Sequence, residues 1–337
     1  MIAYTIRRLL AAVVLLFVMS IVTFVLFSAI PNDPARTACG KNCSPQQVED
    51  VRHSLGYDKP IYVQYGLLMK GLVVGRDFPD DPETKKNAPQ TIVHCAAPCL
   101  GYSKAQTSLV STLIKERLPV SVWVALFAFV LWMVLGILSG VVAALTRGRW
   151  PDKLLVGVAL IGYSFPTFFI GLILYQYVAL QWKLVPIPEY ISPLSDPIGF
   201  IRGAILPAVT LSLLYIAAYV RLTRAYVLEA MGEDYLRTAR AKGLTERRIV
   251  FKHTLRAALT PITTIAGLDL GALLAGAAIT ETVFNFNGLG KLTVQSAVAG
   301  DLPTLTAIVL IAAAFIIVAN VVVDVLYAYI DPRVRYA

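Results

Sequence analysis

Residues 118–145 read LPVSVWVALFAFVLWMVLGILSGVVAAL, a run without a single charged side chain. At 1.5 Å of helical rise per residue, crossing about 30 Å of hydrocarbon takes roughly 17 to 25 such residues, so this stretch is long enough to span a bilayer. Five further runs pass the same length test: 9–30, 154–182, 204–220, 261–279 and 303–329. Pro166 and Pro207 are expected to kink the third and fourth of the six spans, and Gly157, Gly162 and Gly171 to let neighbouring helices approach. The bulk composition agrees, with 57% hydrophobic and 15% charged residues, where a soluble domain carries about 25% charged. The expected fold is an all-α polytopic membrane protein of about six transmembrane helices, the arrangement that satisfies every backbone polar group in lipid.

Arg7 and Arg8 precede the first run in the manner of a signal peptide, but its apolar core exceeds the roughly 7 to 15 residues of a cleavable signal. Arg36, three residues before Cys39, stands where a lipoprotein-type cleavage site needs a branched apolar residue. A retained first helix is therefore expected. The chain carries 30 Lys and Arg against 21 Asp and Glu. That surplus does not cluster on a soluble face with aromatics, as nucleic-acid binding requires, so no nucleic-acid partner is expected. It falls in short loops on one side: Arg7 and Arg8; Arg147, Arg149 and Lys153; nine residues between Arg221 and Arg256; Arg333 and Arg335. Only Lys183, Arg202 and Lys291 occupy short loops on the other side. The positive-inside rule then places both termini in the cytoplasm and residues 31–117 outside. Three regions follow: an N-terminal transmembrane helix (1–30), an extracytoplasmic region (31–117), and a core of five helices (118–337) holding a cytoplasmic loop (221–260).

All four cysteines lie in the extracytoplasmic region, as Cys39 with Cys43 and Cys95 with Cys99 at identical spacing. Thiols confined to an oxidising face read as disulfides, with three connectivities open. A zinc site recruiting His94 or His53 is the rival reading, and free thiols the third; the spacing does not match the usual paired zinc motifs, and no metal is expected. Ser44 opens a capping signature with Val48, Val51 and Leu55 at helical spacing, which predicts one or two short helices there. The polar, proline-rich stretch DFPDDPETKKNAPQ reads as a surface loop.

The 221–260 loop has nine basic residues against four acids. Basicity alone is what any cytoplasmic loop shows. The order within it is more specific. Tyr235, Thr238, Ala239 and Lys242 share one helical face, Gly243 suits a left-handed helix end, and Thr245 can cap a second helix whose Ile249, Phe251 and Leu255 lead back to the membrane. Residues 235–261, YLRTARAKGLTERRIVFKHTLRAALTP, resemble the coupling-helix motif of bacterial ABC importer permeases, in the form of the dipeptide and oligopeptide permease subunits. The family's Glu-Ala-Ala, three residues, Gly pattern, anchored on Gly243, falls on Arg237, Thr238 and Ala239, with arginine in place of the leading glutamate.

Other segments resemble the same family: MIAYTIRRLL at the N-terminus, PNDP at 31–34, SPQQVEDVRHSLGYDKPIYVQY at 44–65, KERLPVSVWVAL at 115–126, GYSFPTFFIGLIL at 162–174, ETVFNFNGLGKL at 281–292 and YAYIDPRVRY at 327–336. Residues 78–99 read as an insertion. The resemblance implies a multi-pass bacterial inner-membrane permease subunit, the first of a pair, importing di- or oligopeptides by alternating access. It further implies a second permease of different sequence, two cytosolic ABC ATPases that use ATP and Mg, an extracytoplasmic peptide-binding protein, and ATPase coupling through Tyr235, Arg237, Thr238, Ala239, Lys242 and Gly243. Nickel chelates or glutathione are alternative cargoes within that class.

No cofactor or catalytic site is expected in this chain. NGLGKLT at 287–293 lacks the earlier glycine of a phosphate loop and has Leu292 where Ser or Thr is needed, and neither HExxH nor GxSxG occurs. Asp269 lies eight residues past Pro261, about 12 Å into the bilayer. A carboxylate at that depth lines a path, pairs with a neighbouring subunit, or is protonated. Glu281 and Asp324 lie nearer span ends, where water reaches. An intramembrane enzyme or an assembly scaffold is the competing class, and an enzyme needs two catalytic groups at matching depth, where only Asp269 lies deep.

Overall fold

A computed structural model describes residues 2–28, 33–40, 43–80 and 89–330. The PNDP segment at 31 and 32, the centre of the 78–99 insertion, and the C-terminal residues from 331, with Arg333 and Arg335, lie outside the described residues. Among the described residues four helices are long and apolar enough to cross a membrane: Ile6–Ser28, Val110–Leu145, Pro197–Gly232 and Leu302–Val323. A fifth crossing is obtained if Trp150–Ser164 and Thr167–Gln181, which meet at 99°, count as one broken span. The chain divides into two compact units, one of Val122–Phe286 with the chain from Ala319, the other of Ile2–Ser121 with Asn287–Val318.

In the first of these units the third span does more than kink at Pro166. Proline bars its predecessor from the helical region, and Phe165 accordingly sits extended at φ −98°, ψ 138°, ending one helix before Pro166 opens the next. Its last turns, Leu174–Gln181, widen to π-helical geometry. Pro207, by contrast, is carried inside the continuous 36-residue helix Pro197–Gly232, whose start Asp196 caps by accepting from Gly199 N at 2.9 Å. That helix outruns the 204–220 apolar core at both ends, and most of that core is buried within the protein. The fifth apolar run helixes as Leu255–Gly276, then breaks at Ala277 before the short helix Ala278–Val283.

Of the three glycines expected to pack closely only Gly171 does, and closer contacts between helices fall on others. A Cβ at Gly157 or Gly162 would meet nothing within 4 Å, whereas one at Gly136 would stand 2.7 Å from Tyr219 Cβ and one at Gly140 2.5 Å from Thr223 Cβ. Gly136 and Gly140 form a GxxxG pair, the spacing that aligns two small residues on one helix face and lets backbones approach. Gly171 does sit against a neighbour, with Thr210 Cγ2 3.2 Å from its Cβ position.

In the second unit the described residues after the first helix include three short helices, Pro34–Cys39, Pro45–Leu55 and Ile61–Val74. Ser44 and Gln47 complete a reciprocal capping box: Gln47 N donates to Ser44 Oγ, and Ser44 N donates to Gln47 Oε1. Arg52 ties the second of these helices back to Asp33, which caps the first, at 2.7 Å. The all-α expectation omits two small antiparallel pairings, Arg76–Phe78 with Val93–Cys95 and Tyr102–Ser103 with Ser108–Leu109. Gly75 turns into the first pairing at φ +90°, where a Cβ would lie 2.6 Å from the Cys95 carbonyl oxygen; only glycine fits.

Sulfurs bond within each closely spaced pair, Cys39 to Cys43 and Cys95 to Cys99. Cys95 and Cys99 are buried with Phe78 and packed by Tyr102 and Leu109. His94 lies 2.6 Å from Asp77, and His53 3.1 Å from Asp58. Among the described residues no group of three His, Cys, Asp or Glu gathers as a metal site would require. The buried carboxylate of Asp301 accepts from the hydroxyls of Ser103, at 2.5 Å, and Thr304, at 2.7 Å. Val110, Leu113 and Ile114 pack with Leu289, Leu292 and Ile308, which explains why that long helix begins well before its apolar stretch at Leu118.

Candidate coupling surface

The 36-residue helix stops at Gly232 because Glu233 turns extended, at φ −67°, ψ 141°, and a new helix starts at once as Asp234–Ala241. Lys242 N closes on Thr238 O at 3.0 Å and Gly243 N on Arg240 O at 2.9 Å. Gly243 then takes φ +75° with no atom within 4 Å of a Cβ position. Its requirement for glycine is thus one of backbone conformation and not of space. Thr245 occupies the cap position of Glu246–Arg248, but its side chain makes no capping hydrogen bond. The chain passes through π-helical turns at Ile249–Thr254 directly into Leu255–Gly276.

Three buried side chains hold this helical pair together. Leu236, Ala239 and Ile249 cluster out of solvent, with Leu244 packed against them. Ala239 therefore lies beneath the helix and does not share the outward face with Tyr235, Thr238 and Lys242. Tyr235 is 45% exposed, and Arg237, Thr238 and Lys242 are also exposed. Helical spacing placed Ala239 beside Thr238, but the apolar contact with Ile249 fixes the helix's rotation. Across the glycine, Arg240 Nε donates to Glu246 Oε1 at 2.8 Å. The Arg240 guanidinium holds the Glu246 carboxyl below the usual carboxylate range. Phe251 stands 62% exposed among Arg247, Arg248 and Lys252.

Sequence reasoning missed the contact that fastens the base of this loop. Asp152 is only 4% exposed and receives both arms of Arg224, Nε to Oδ1 at 2.6 Å and an NH2 to Oδ2 at 2.8 Å. Gly148 N donates to the same Oδ2 at 2.9 Å. Arg224 enters the sequence reading only as one more base in a basic loop; the pairable signal was the lone acid in the first turn of a helix that follows a glycine turn. One turn before Arg224, the Arg221 guanidinium lies 5.1 Å over the Tyr163 ring.

Asp269 is half-buried and accepts from Tyr219 Oη at 2.7 Å. Trp132 is fully buried beside it, stacked on Tyr215 at 4.3 Å. The structure thus gives this carboxylate a donor from its own chain. Glu281 is buried, while the side chain of Asp324 lies outside the described residues.

The family model "Binding-protein-dependent transport system inner membrane component" matches residues 136–336, and the model of that family's N-terminal region matches residues 1–125. A Brucella abortus (strain 2308) protein provisionally named a peptide transport system permease protein is 36% identical over 336 residues, covering 100% of each chain. The glutathione transport system permease protein GsiC of Escherichia coli (strain K12) is likewise 36% identical over 336 residues, with 100% of each chain covered. Among solved structures, inward-facing MetNI methionine ABC transporter aligns with a TM-score of 0.51 at 16% identity, over 66% of this chain and 97% of that one. That likeness concerns the fold.

Proposed function

Because the chain belongs to the family of binding-protein-dependent transport system inner-membrane components, we propose that it imports short peptides as one half of a translocation path driven from outside its own sequence. It is a membrane-embedded permease subunit of an ABC importer, non-catalytic and without a cofactor of its own. The finer reading is a six-span, multi-pass subunit of a bacterial inner membrane, with both termini in the cytoplasm and the extracytoplasmic region interrupted by an insertion near 78–99. The remaining span, fifth in chain order, is Leu255–Gly276, whose 22 residues rise about 33 Å. Two cytosolic ATPases consuming ATP and Mg, a second permease of different sequence and an extracytoplasmic binding protein complete the assembly. The peptide cargo is supported by the named relatives, and glutathione is itself a tripeptide.

One observation carries the mechanism. The Asp234–Ala241 helix is rooted by Leu236 and Ala239 while Tyr235, Arg237, Thr238 and Lys242 face outward, so a partner can press on it and move two continuous helices at once. An ATPase that contacts this surface differently in its open and closed states supplies the free energy that shifts the path between facings. Asp269, held by Tyr219, is a polar station on that path. Thr238→Cys, with the four native cysteines oxidised, is expected to cross-link to an ATPase subunit in inverted vesicles and to resist membrane-impermeant thiol reagents in intact cells. Labelling of Thr238→Cys from outside the cell would overturn the topology and with it this mechanism. Uptake of labelled dipeptide, tripeptide and glutathione by the reconstituted assembly decides the cargo.

A further inference from the structure

The helix Ile61–Val74 has 14 residues and is apolar, too short to cross a bilayer and of the length that lies in its interface. Its depth is fixed by a contact with the first helix. Tyr65 Oη is 2.7 Å from Ser20 Oγ, and Ser20 donates to the Phe17 carbonyl at 2.7 Å, so the phenol is the donor in the pair. Phe24 and Phe17 flank the Tyr65 ring with centroids at 5.5 and 6.5 Å. Ser20 is eight residues from Ser28, about 12 Å along the helix axis. In a helix crossing about 30 Å of hydrocarbon with Ser28 at its outer edge, the Tyr65 hydroxyl lies within the outer leaflet. Two hydroxyls that satisfy each other are what burial at that depth requires.

Between these helices lies a cavity of about 380 Å³, walled by Phe24, Phe27, Leu67 and Leu68 and bordered by Lys59 and Arg76. The two cations reach the same carboxylate oxygen, Asp80 Oδ2, at 2.9 and 3.1 Å. No carboxylate occurs among the described lining residues, so the α-ammonium of a peptide would find no counter-charge there. Apolar walls at acyl-chain depth beside a cationic border suit an anionic amphiphile. We propose that this cavity binds one phospholipid of the outer leaflet, with an acyl chain against Phe24, Phe27, Leu67 and Leu68 and its phosphodiester at Lys59 and Arg76. The assignment rests on the topology proposed above, which puts Ser28 at the outer face.

The test uses the assembled importer in nanodiscs containing a phospholipid with a photoreactive diazirine in mid-acyl chain. Irradiation is expected to place adducts on 24–28 and 67–68, and on Val13 and Val14, which are exposed on the first helix. Leu68→Trp, which fills the cavity, should reduce the first set about tenfold and leave the second unchanged. Native mass spectrometry of the unmodified protein should retain one lipid per chain after detergent extraction. Adducts at 24–28 and 67–68 no more frequent than on the Pro45–Leu55 helix, with Val13 and Val14 still labelled, would overturn the lipid site alone. Loss of adducts at Val13 and Val14 as well would overturn the premise that the first helix crosses lipid. Displacement of the cavity adducts by excess dipeptide would overturn the proposal in favour of a cargo site.

Discussion

In the topology proposed above, the extracytoplasmic residues and the cytoplasmic loop are similar in being chains of short helices between membrane spans, yet they are secured by opposite means. Outside, two disulfides, a capping box and a buried carboxylate that accepts two hydroxyls hold the segment. Inside, three buried side chains, one glycine and two exposed ion pairs do so. The outer segment is fixed by bonds that do not rearrange on the time scale of transport. The inner loop depends on a few apolar contacts, so a partner that grips its outward face can shift it while the Asp152–Arg224 clamp keeps its base in place.

That contrast breaks most readily at Leu236. Leu236→Ala removes the largest member of a small cluster and should destabilise the helical pair by about 2–5 kcal/mol. Amide exchange across 234–249 should accelerate and peptide uptake collapse, while the spans remain protected. Unchanged exchange would mean that the partner, and not this cluster, orders the loop. Outside, replacing Cys95 and Cys99 together by serine opens a loop of only a few residues and should cost about 2 kcal/mol, read as a lower thermal midpoint with uptake preserved at low temperature. If that variant lost transport while keeping its midpoint, the outer segment would be a moving part after all.

At the hinge, Gly243→Val forces a β-branched residue to φ +75° and should cost about 1–2 kcal/mol. Hydrolysis by the partner ATPases should continue while uptake falls several-fold. Gly243→Asn, which tolerates the left-handed region, should recover most of it; equal uptake by the valine and asparagine proteins would remove the hinge from the mechanism. The smallest effect is expected at the Arg240–Glu246 ion pair. Glu246 has a depressed pKa, so its contribution is present above the unfolded glutamate value and disappears as pH falls through the lower folded one. Glu246→Gln should change coupling less than about twofold, with the difference from the native protein shrinking at high salt.

Most of the membrane architecture was legible because length and apolarity alone decide whether a helix can cross. The limits of that signal are equally physical. Val110–Leu145 begins before its apolar stretch because Val110, Leu113 and Ile114 pack against protein, and hydropathy carries no record of such contacts. Pro166 announced a disturbance, but its size, 99°, depends on the extended Phe165 that precedes it. The GxxxG pair at Gly136 and Gly140 was present in the sequence and passed over for Gly157 and Gly162, which the fold leaves open. In the loop, Gly243 was readable from its position after a helical run. The inward rotation of Ala239 was not, since it depends on Ile249 returning from beyond the turn. The Arg224 to Asp152 contact joins residues 72 positions apart, and no local pattern links them.

Each disulfide joins cysteines only four positions apart, and this bears on how the protein is made. As the chain emerges after its first helix, Cys43 follows Cys39 almost immediately, and either pair can be oxidised without waiting for the other. Crossed partners would have to find each other over some fifty residues of intervening chain, a longer closure with a larger entropic penalty. Maturation of this segment therefore favours native pairing from the start, and a cell that assembles the importer needs an oxidant at its outer face more than a catalyst of disulfide reshuffling.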